Sequence, residues 1–354
     1  MARAYGHYAA GVDIDPLAVL LARVWTTAID PNELFEAGTE TLHKAKLRAK
    51  RISDASAYPM LSNGETRDFL RYWFDPTARC QLTALSDVIT STADKGIQEA
   101  LWCAFSRLII TKSSGASLAM DLSHSRPHKA FDQAPVKPFD GFLTALAVVA
   151  KNCVSKSTRR GPKTTTSLGD ARHLKARSDS YDLVLTSPPY LNAIDYLRCS
   201  KFSLVWMGHN VDTLRQTRNK SVGSEASHEP ALNDAITHQI IKELKLKPEL
   251  SPRHRAILSR YVWDMKLSLA ETSRVLREHG TAVYVVGDST IRGTFVRNSE
   301  IVRIAGEINN LKFINKRSRT LPENRRYLPP PKSTSDQKHL NSRMRREVVI
   351  TFQK

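Results

Sequence analysis

The sequence predicts an α/β protein: a doubly wound, mainly parallel sheet interrupted by an inserted helical subdomain. Three observations predict it. Short apolar strands alternate with amphipathic helices near both ends of the chain. The segments around residues 7–14 and 181–186 each read as a strand that runs into turn residues and then a helix, as parallel crossovers require. Between them, residues 31–164 carry a helical rhythm instead of alternation.

In order, HYAAGVDI (residues 7–14) reads as a helix end followed by a short strand. Asp15-Pro16 then starts a helix through LAVLLARVWTTA, because Asp caps well and Pro suits the first helical position. Residues 31–164 favour helices, notably Ala100–Ile110 and Phe139–Ala150, joined by polar loops such as Ser125–Lys129. A basic linker, Lys156–Lys163, leads back to the sheet. Alternation returns at Ser167–Arg172, and Tyr181–Thr186 reads as a buried strand. A helix over about 193–207 and a polar, basic loop region to about 252 are expected next. Leu258, Tyr261, Val262, Met265, Leu269 and Leu276 then mark an amphipathic helix over 253–279 that Gly280 should stop. TAVYVVGDS (281–289), Leu311–Asn315 and Glu347–Phe352 supply the late strands. The expected divisions are therefore 1–30 and 165–354 for the sheet domain and 31–164 for the insertion.

Composition narrows the function. At 354 residues, 41% apolar and 25% charged, the chain has the balance of a soluble globular protein with room for one or two domains. No apolar run reaches the roughly 18–20 residues of a membrane span, and the start lacks a signal-peptide core. The four cysteines form no CxxC pair, which argues against a zinc ribbon or disulfide framework and suits the cytoplasm. The 53 Lys and Arg against 35 Asp and Glu leave +18, a surplus that points to a polyanion, nucleic acid above all. The charges cluster at Lys44–Arg51, Arg159–Lys163, Lys312–Arg326 and Arg343–Arg346.

In doubly wound sheets ligands bind at the carboxyl ends of the strands. Three such ends carry suitable groups. Asp13, followed by Ile14, can take both hydroxyls of a ribose. Asp170, followed by Ala171, can accept from the exocyclic amine of an adenine. After Thr186 come Ser187-Pro188-Pro189-Tyr190, a stiff turn with one hydroxyl, free carbonyls and one ring. Singly, each Asp is more often a cap or turn former. Together the three ends describe a nucleoside pocket beside a base-sized clamp.

VDIDPLAVLLARVWT, GDAR, TSPPY, VVGDSTIRG and RRYLPPP…NSRMRREVVITF, in this order, resemble the S-adenosylmethionine-dependent DNA methyltransferases of the exocyclic-amino group. These enzymes make N4-methylcytosine or N6-methyladenine. The resemblance covers residues 7–27 and 165–354, not the insertion. It implies a Rossmann-like class I methyltransferase fold, S-adenosylmethionine as cofactor, double-stranded DNA as partner, and a role in DNA methylation, restriction-linked or solitary. It places Asp13, Ile14, Asp170, Ala171 and Thr186 at the cofactor and Ser187, Pro188, Pro189 and Tyr190 at the target base. The S-PP-Y form is typical of N4-cytosine enzymes, whereas D-PP-Y or N-PP-Y is typical of N6-adenine enzymes. An adenine target, or a non-catalytic DNA-binding remnant or subunit, are the alternatives.

The chemistry of the turn agrees. An exocyclic amine is a poor nucleophile because its lone pair is conjugated with the ring. Accepting its N–H bonds at the Ser187 hydroxyl and the Pro188 carbonyl pushes the nitrogen toward sp³, and Tyr190 can stack on a flipped base. Cys199 lies mid-helix without the Pro-Cys turn that cytosine-C5 chemistry needs, and reads as structural. Arg215, Arg218 and Lys220, just beyond, are candidate phosphate contacts. The family's glycine-rich F-x-G-x-G loop is expected upstream of the VDIDP segment and is not seen, so the chain reads as N-terminally truncated, with a mis-set start, a separate polypeptide partner supplying the loop, or a decayed remnant as the alternatives.

Overall fold

The computed structural model describes residues 2–111, 114–120, 122, 127–153, 162–191, 195–224, 229–321 and 346–354. The basic pairs Arg159-Arg160 and Arg325-Arg326, the RRYLPPP stretch, and Arg343 and Arg345 lie outside the described residues. The chain divides into two compact units, Met1–Leu168 with Asp195–Arg218, and Gly169–Ile194 with Asn219–Lys354.

The first unit holds a parallel pair, β1 (Ala9–Asp13) with β4 (Thr164–Leu168), and a large helical body. Helix α1 (Pro16–Thr26) starts as expected: Asp15 caps it, accepting from the Leu17 amide at 2.9 Å, and Pro16 takes the first turn. The body is α2 (Pro31–Ala49), α3 (Gly64–Trp73), α4 (Pro76–Thr90), α5 (Lys95–Ile109) and α6 (Pro138–Asn152), with a short hairpin of β2 (Ala119–Met120) and β3 (His128–Lys129). Asp30, Asn63, Asp75 and Asp94 cap the first four of these helices with their side chains, which is why polar residues punctuate the apolar runs. Leu34, Leu82, Leu85, Phe105, Phe142 and Trp206 are fully buried in one core. Helix α7 (Tyr196–Leu204) belongs to this unit, as does α8 (Val211–Lys220) as far as Arg218.

The second unit is built on a four-stranded sheet of β5 (Tyr181–Thr186), β6 (Leu276–Val286), β9 (Lys312–Thr320) and β10 (Arg346–Gln353), in the order β5-β6-β10-β9. Helices α9 (Glu229–Asn233), α10 (Ala235–Glu243), α11 (Pro252–Val275) and α12 (Asn298–Ile308), with the hairpin β7 (Ser289–Ile291) and β8 (Thr294–Val296), complete it. One sheet face, bearing Ala282, Tyr284, Val286, Ile350 and Phe352, is buried with Leu258, Tyr261, Met265, Leu269, Ile301 and Val302 from α11 and α12.

Helix–sheet alternation is thus present, but a mainly parallel, doubly wound sheet is not evident among the described residues. In the four-stranded sheet only β5 with β6 is parallel; both pairings of β10 are antiparallel. Three local expectations need correction. Among the described residues, Tyr181–Thr186 is an edge strand and not a buried one: Leu183 and Leu185 are 56% and 68% exposed, on the face opposite the helices. The expected loop region to 252 contains α8 and α10. Val211 and Leu214 bury an apolar stripe in α8, and Asp234 caps α10 so that Ile240 and Ile241 are buried. Gly280 does not end a helix; α11 stops at Val275 and the chain is already in β6. There a side chain on Gly280 would meet the Arg277 carbonyl at 2.8 Å and the Tyr181 carbonyl at 3.3 Å, so glycine permits the strands to close up. Among the described residues no helix is long and apolar enough to cross a membrane.

Candidate active site

β5 ends at Thr186 and passes the chain to Ser187-Pro188-Pro189-Tyr190. Two consecutive prolines fix the backbone and withdraw two donors, so the turn cannot extend the ladder and its shape is set locally. Ser187 is exposed, whereas Pro188, Pro189 and Tyr190 are half-buried. The Tyr190 ring packs against the core of the second unit. Its phenol donates to Glu347 Oε1 at 3.0 Å, and Ser187 Oγ lies 3.4 Å from the phenol oxygen. Glu347 Oε2 in turn accepts from Arg319 at 2.6 and 2.9 Å, across a register pair of β10 and β9. The ring is therefore held by the sheet itself, with the exposed Ser187 hydroxyl beside it.

Asp170 follows β4 and belongs to the second unit. Its carboxylate accepts from Arg172, at the backbone amide (2.9 Å) and at Nε and Nη2 (2.9 and 2.6 Å). Burial alone would raise its pKa, but the Arg172 hydrogen bonds and charge hold it below the ordinary carboxylate range. Arg172 continues to Asp264 Oδ1 at 2.5 Å, and Asp264 Oδ2 accepts from Arg260 and the Gly223 amide, each at 2.9 Å. Asp264 is fully buried, so this is a paired interior network. Ala171 is exposed and Thr186 half-buried.

Asp13 and Ile14 lie in the first unit at the end of β1. Asp13 is exposed and spends one carboxylate oxygen on the Asp15 amide at 2.9 Å, which leaves acceptor capacity. The buried Asp15 instead takes a 2.6 Å bond from the Ser200 hydroxyl, and burial pushes its pKa up despite that bond. Cys199 lies in α7 with its thiol 3.1 Å from the Tyr196 carbonyl of the same helix.

Of the candidate phosphate contacts, Arg215 pairs with Glu65 and Arg218 with Asp195, while Lys220 is exposed. Such solvent-facing pairs contribute only about 0–1 kcal/mol, so exchanging the carboxylate for a phosphate meets little resistance. No group of three or more His, Cys, Asp or Glu able to hold a metal occurs among the described residues.

Sequence reasoning missed Glu347, Arg319, Asp264 and Arg260. The signals are visible afterwards. Arg260 and Asp264 are charges four residues apart inside the apolar stripe of α11, and Glu347 is one acid at the start of an apolar strand that follows a basic run.

The chain is similar to the type II methyltransferase M.MvaI of Kocuria varians, with 22% identity over 344 residues, 91% of this chain and 74% of that protein. A solved structure of a SAM-dependent methyltransferase from Methanosarcina mazei overlaps 59% of this chain and 76% of its own, at 10% identity and a TM-score of 0.27, too low to speak for the fold. No protein-family model matches.

Proposed function

We propose that this protein is an S-adenosylmethionine-dependent DNA methyltransferase that acts on an exocyclic amine, cytosine N4 in the first place. The observation that carries the reading is the Ser187–Tyr190 turn: an exposed hydroxyl on a proline-locked backbone, beside a tyrosine tied to Glu347. The similarity to a type II methyltransferase along most of the chain supports the same reaction class, and the +18 charge supports DNA as the partner.

Each proposed cofactor contact has the chemistry that its part of the cofactor needs. Asp13 retains an oxygen for ribose hydroxyls, with Ile14 beside it in the chain. Asp170, whose pKa is lowered by Arg172, can accept from an adenine amine, and a carboxylate has lone pairs beyond those Arg172 uses. Ala171 and Thr186 are the remaining proposed contacts. When bound, S-adenosylmethionine supplies an electrophilic methyl group on a sulfonium.

The turn prepares the amine. Ser187 Oγ and the Pro188 carbonyl accept its N–H bonds and shift the nitrogen toward sp³, with no reorganisation cost because the prolines have already set the geometry. The Tyr190 ring holds the flipped base, and Glu347 positions Tyr190 without touching substrate. Arg215, Arg218 and Lys220 are proposed to hold phosphates. The neutral Ser187, where a carboxylate or amide would mark an adenine enzyme in the resembled family, favours cytosine.

The test is nucleoside mass spectrometry of duplex DNA incubated with the protein and isotopically labelled S-adenosylmethionine. N4-methylcytosine is expected. N6-methyladenine alone would move the target to adenine, and DNA binding without any labelled nucleoside would leave a non-catalytic binding protein.

A further inference from the structure

Within the first unit, α3, α7 and α8 line an open cavity of about 550 Å³, and none of the residues assigned above to the base or the cofactor is in its lining. The volume is within the range of small-ligand pockets. Leu197, Val211 and Leu214 are buried in its lining, and three rings, Phe69, Tyr72 and Trp73, come from one turn of α3. Tyr72 and Trp73 meet edge to face at 4.8 Å, and Tyr72 is 55% exposed. That is an open aromatic wall of the kind on which unstacked bases lie.

The cations of the cavity are unequal. Arg215 and Arg218 answer Glu65 and Asp195, and Asp68 at the rim pairs with Arg71. Lys201 is different: its ammonium sits 5.0 Å over the Phe69 ring, and among the described residues no carboxylate lies within ion-pair distance. Burial, then the charge of Arg218, pushes its pKa below 10.5, with Asp195 acting the other way. A half-buried ammonium without a counter-ion is stabilised by an anion that enters the cavity.

We infer that this cavity binds one unstacked nucleotide of the DNA strand, its base against Tyr72 and Trp73 and its phosphate on Lys201. None of its lining residues belongs to the Ser187–Tyr190 turn, so it would hold a nucleotide other than the one methylated. The inference rests on the reading of the protein as DNA-acting. A nucleotide could also come free in solution, and the experiment separates the two sources.

The probe is a single-stranded oligonucleotide carrying 5-iodouracil, irradiated on the full-length protein and mapped by mass spectrometry. The expected adduct lies in Phe69–Trp73 and survives Tyr72→Phe. Tyr72→Ala should lose it and weaken binding about tenfold or more. Lys201→Met, close to lysine in length but uncharged, should flatten the slope of log K against log salt by about 0.7, the value of one phosphate contact on a single strand. Adducts confined to other segments, with Lys201→Met keeping the full slope, would overturn the assignment while leaving methylation through Ser187 untouched. Failure to bind any DNA would remove this inference together with the methyltransferase reading. Thymidine 5′-monophosphate bound through Lys201 as tightly as the strand would make this a site for free nucleotides and overturn the DNA assignment.

Discussion

At the scale of single residues, the candidate chemistry depends on one exposed hydroxyl and on a ring that the fold holds in place. Ser187→Ala deletes one acceptor for the amine and Tyr190→Ala the base's ring; each should lower methyl transfer by orders of magnitude, while thermal unfolding of Ser187→Ala stays within about a degree or two of the parent. Transfer of labelled methyl to duplex DNA is the measurement, and full activity in either variant would remove the turn from the mechanism. The interior network behaves differently, because it stabilises the fold. Asp264 compensates Arg172 and Arg260, whose side chains are only 11% and 7% exposed. Asp264→Asn leaves two buried guanidiniums short of a charge and should cost about 3–5 kcal/mol in denaturant unfolding. Asp170 adds a pH dependence of known sign. Its pKa is depressed in the folded protein, so its contribution is complete above its ordinary value of 3.8 and is lost as pH falls through the lower folded value. Unfolding titrations from pH 6 downward should show this loss in the parent and less of it in Asp170→Asn.

At the scale of elements, close approach decides what a position tolerates. Gly306 of α12 lies on Phe352 of β10; a methyl group there would stand 2.5 Å from the ring, and Phe352 is fully buried with nowhere to go. Gly306→Ala should therefore destabilise by about 1–3 kcal/mol through overpacking, against the usual gain from Gly to Ala in a helix. Equilibrium unfolding in urea checks it, and a more stable variant would show that α12 can slide on the sheet. What could be read beforehand follows from how local the signal was. The Asp15-Pro16 start of α1 and the strand 181–186 were legible because their cues lie within a few residues. The candidate residues were proposed on signals of the same kind: Asp13, Asp170 and the SPPY turn are contiguous motifs, but their partners are not. Glu347 reaches Tyr190 from 157 residues away, and no periodicity encodes that. The Gly280 error has the same origin: glycine after an amphipathic run ordinarily stops a helix, and only the facing Tyr181 carbonyl shows that it serves the sheet here. Pairing direction was equally hidden, since antiparallel β10 and a parallel strand share one alternation of apolar residues.

At the scale of the whole molecule, charge is the property that most constrains the partner. A net +18 on 354 residues is a large surplus, and much of it lies in runs instead of alternating with acids. Many arginines are nevertheless matched locally: Arg215, Arg218, Arg274, Arg303 and Arg319 each face a carboxylate. The pairs that are solvent-facing contribute little to stability and are screened by salt, so a polyphosphate can displace them at small cost. DNA affinity should accordingly be governed by counter-ion release. Each phosphate neutralised on duplex DNA adds about 0.9 to the slope of log K against log salt, so six to ten contacts would cost roughly three to five powers of ten between 50 and 200 mM. Fluorescence anisotropy with a labelled duplex measures the slope. The charge account expects it to be steep for any sequence and to lose about one unit in Lys220→Ala, whose ammonium is exposed. A shallow slope would mean that the basic surface serves another partner, and would set the proposed methyl transfer on DNA against the protein's own electrostatics.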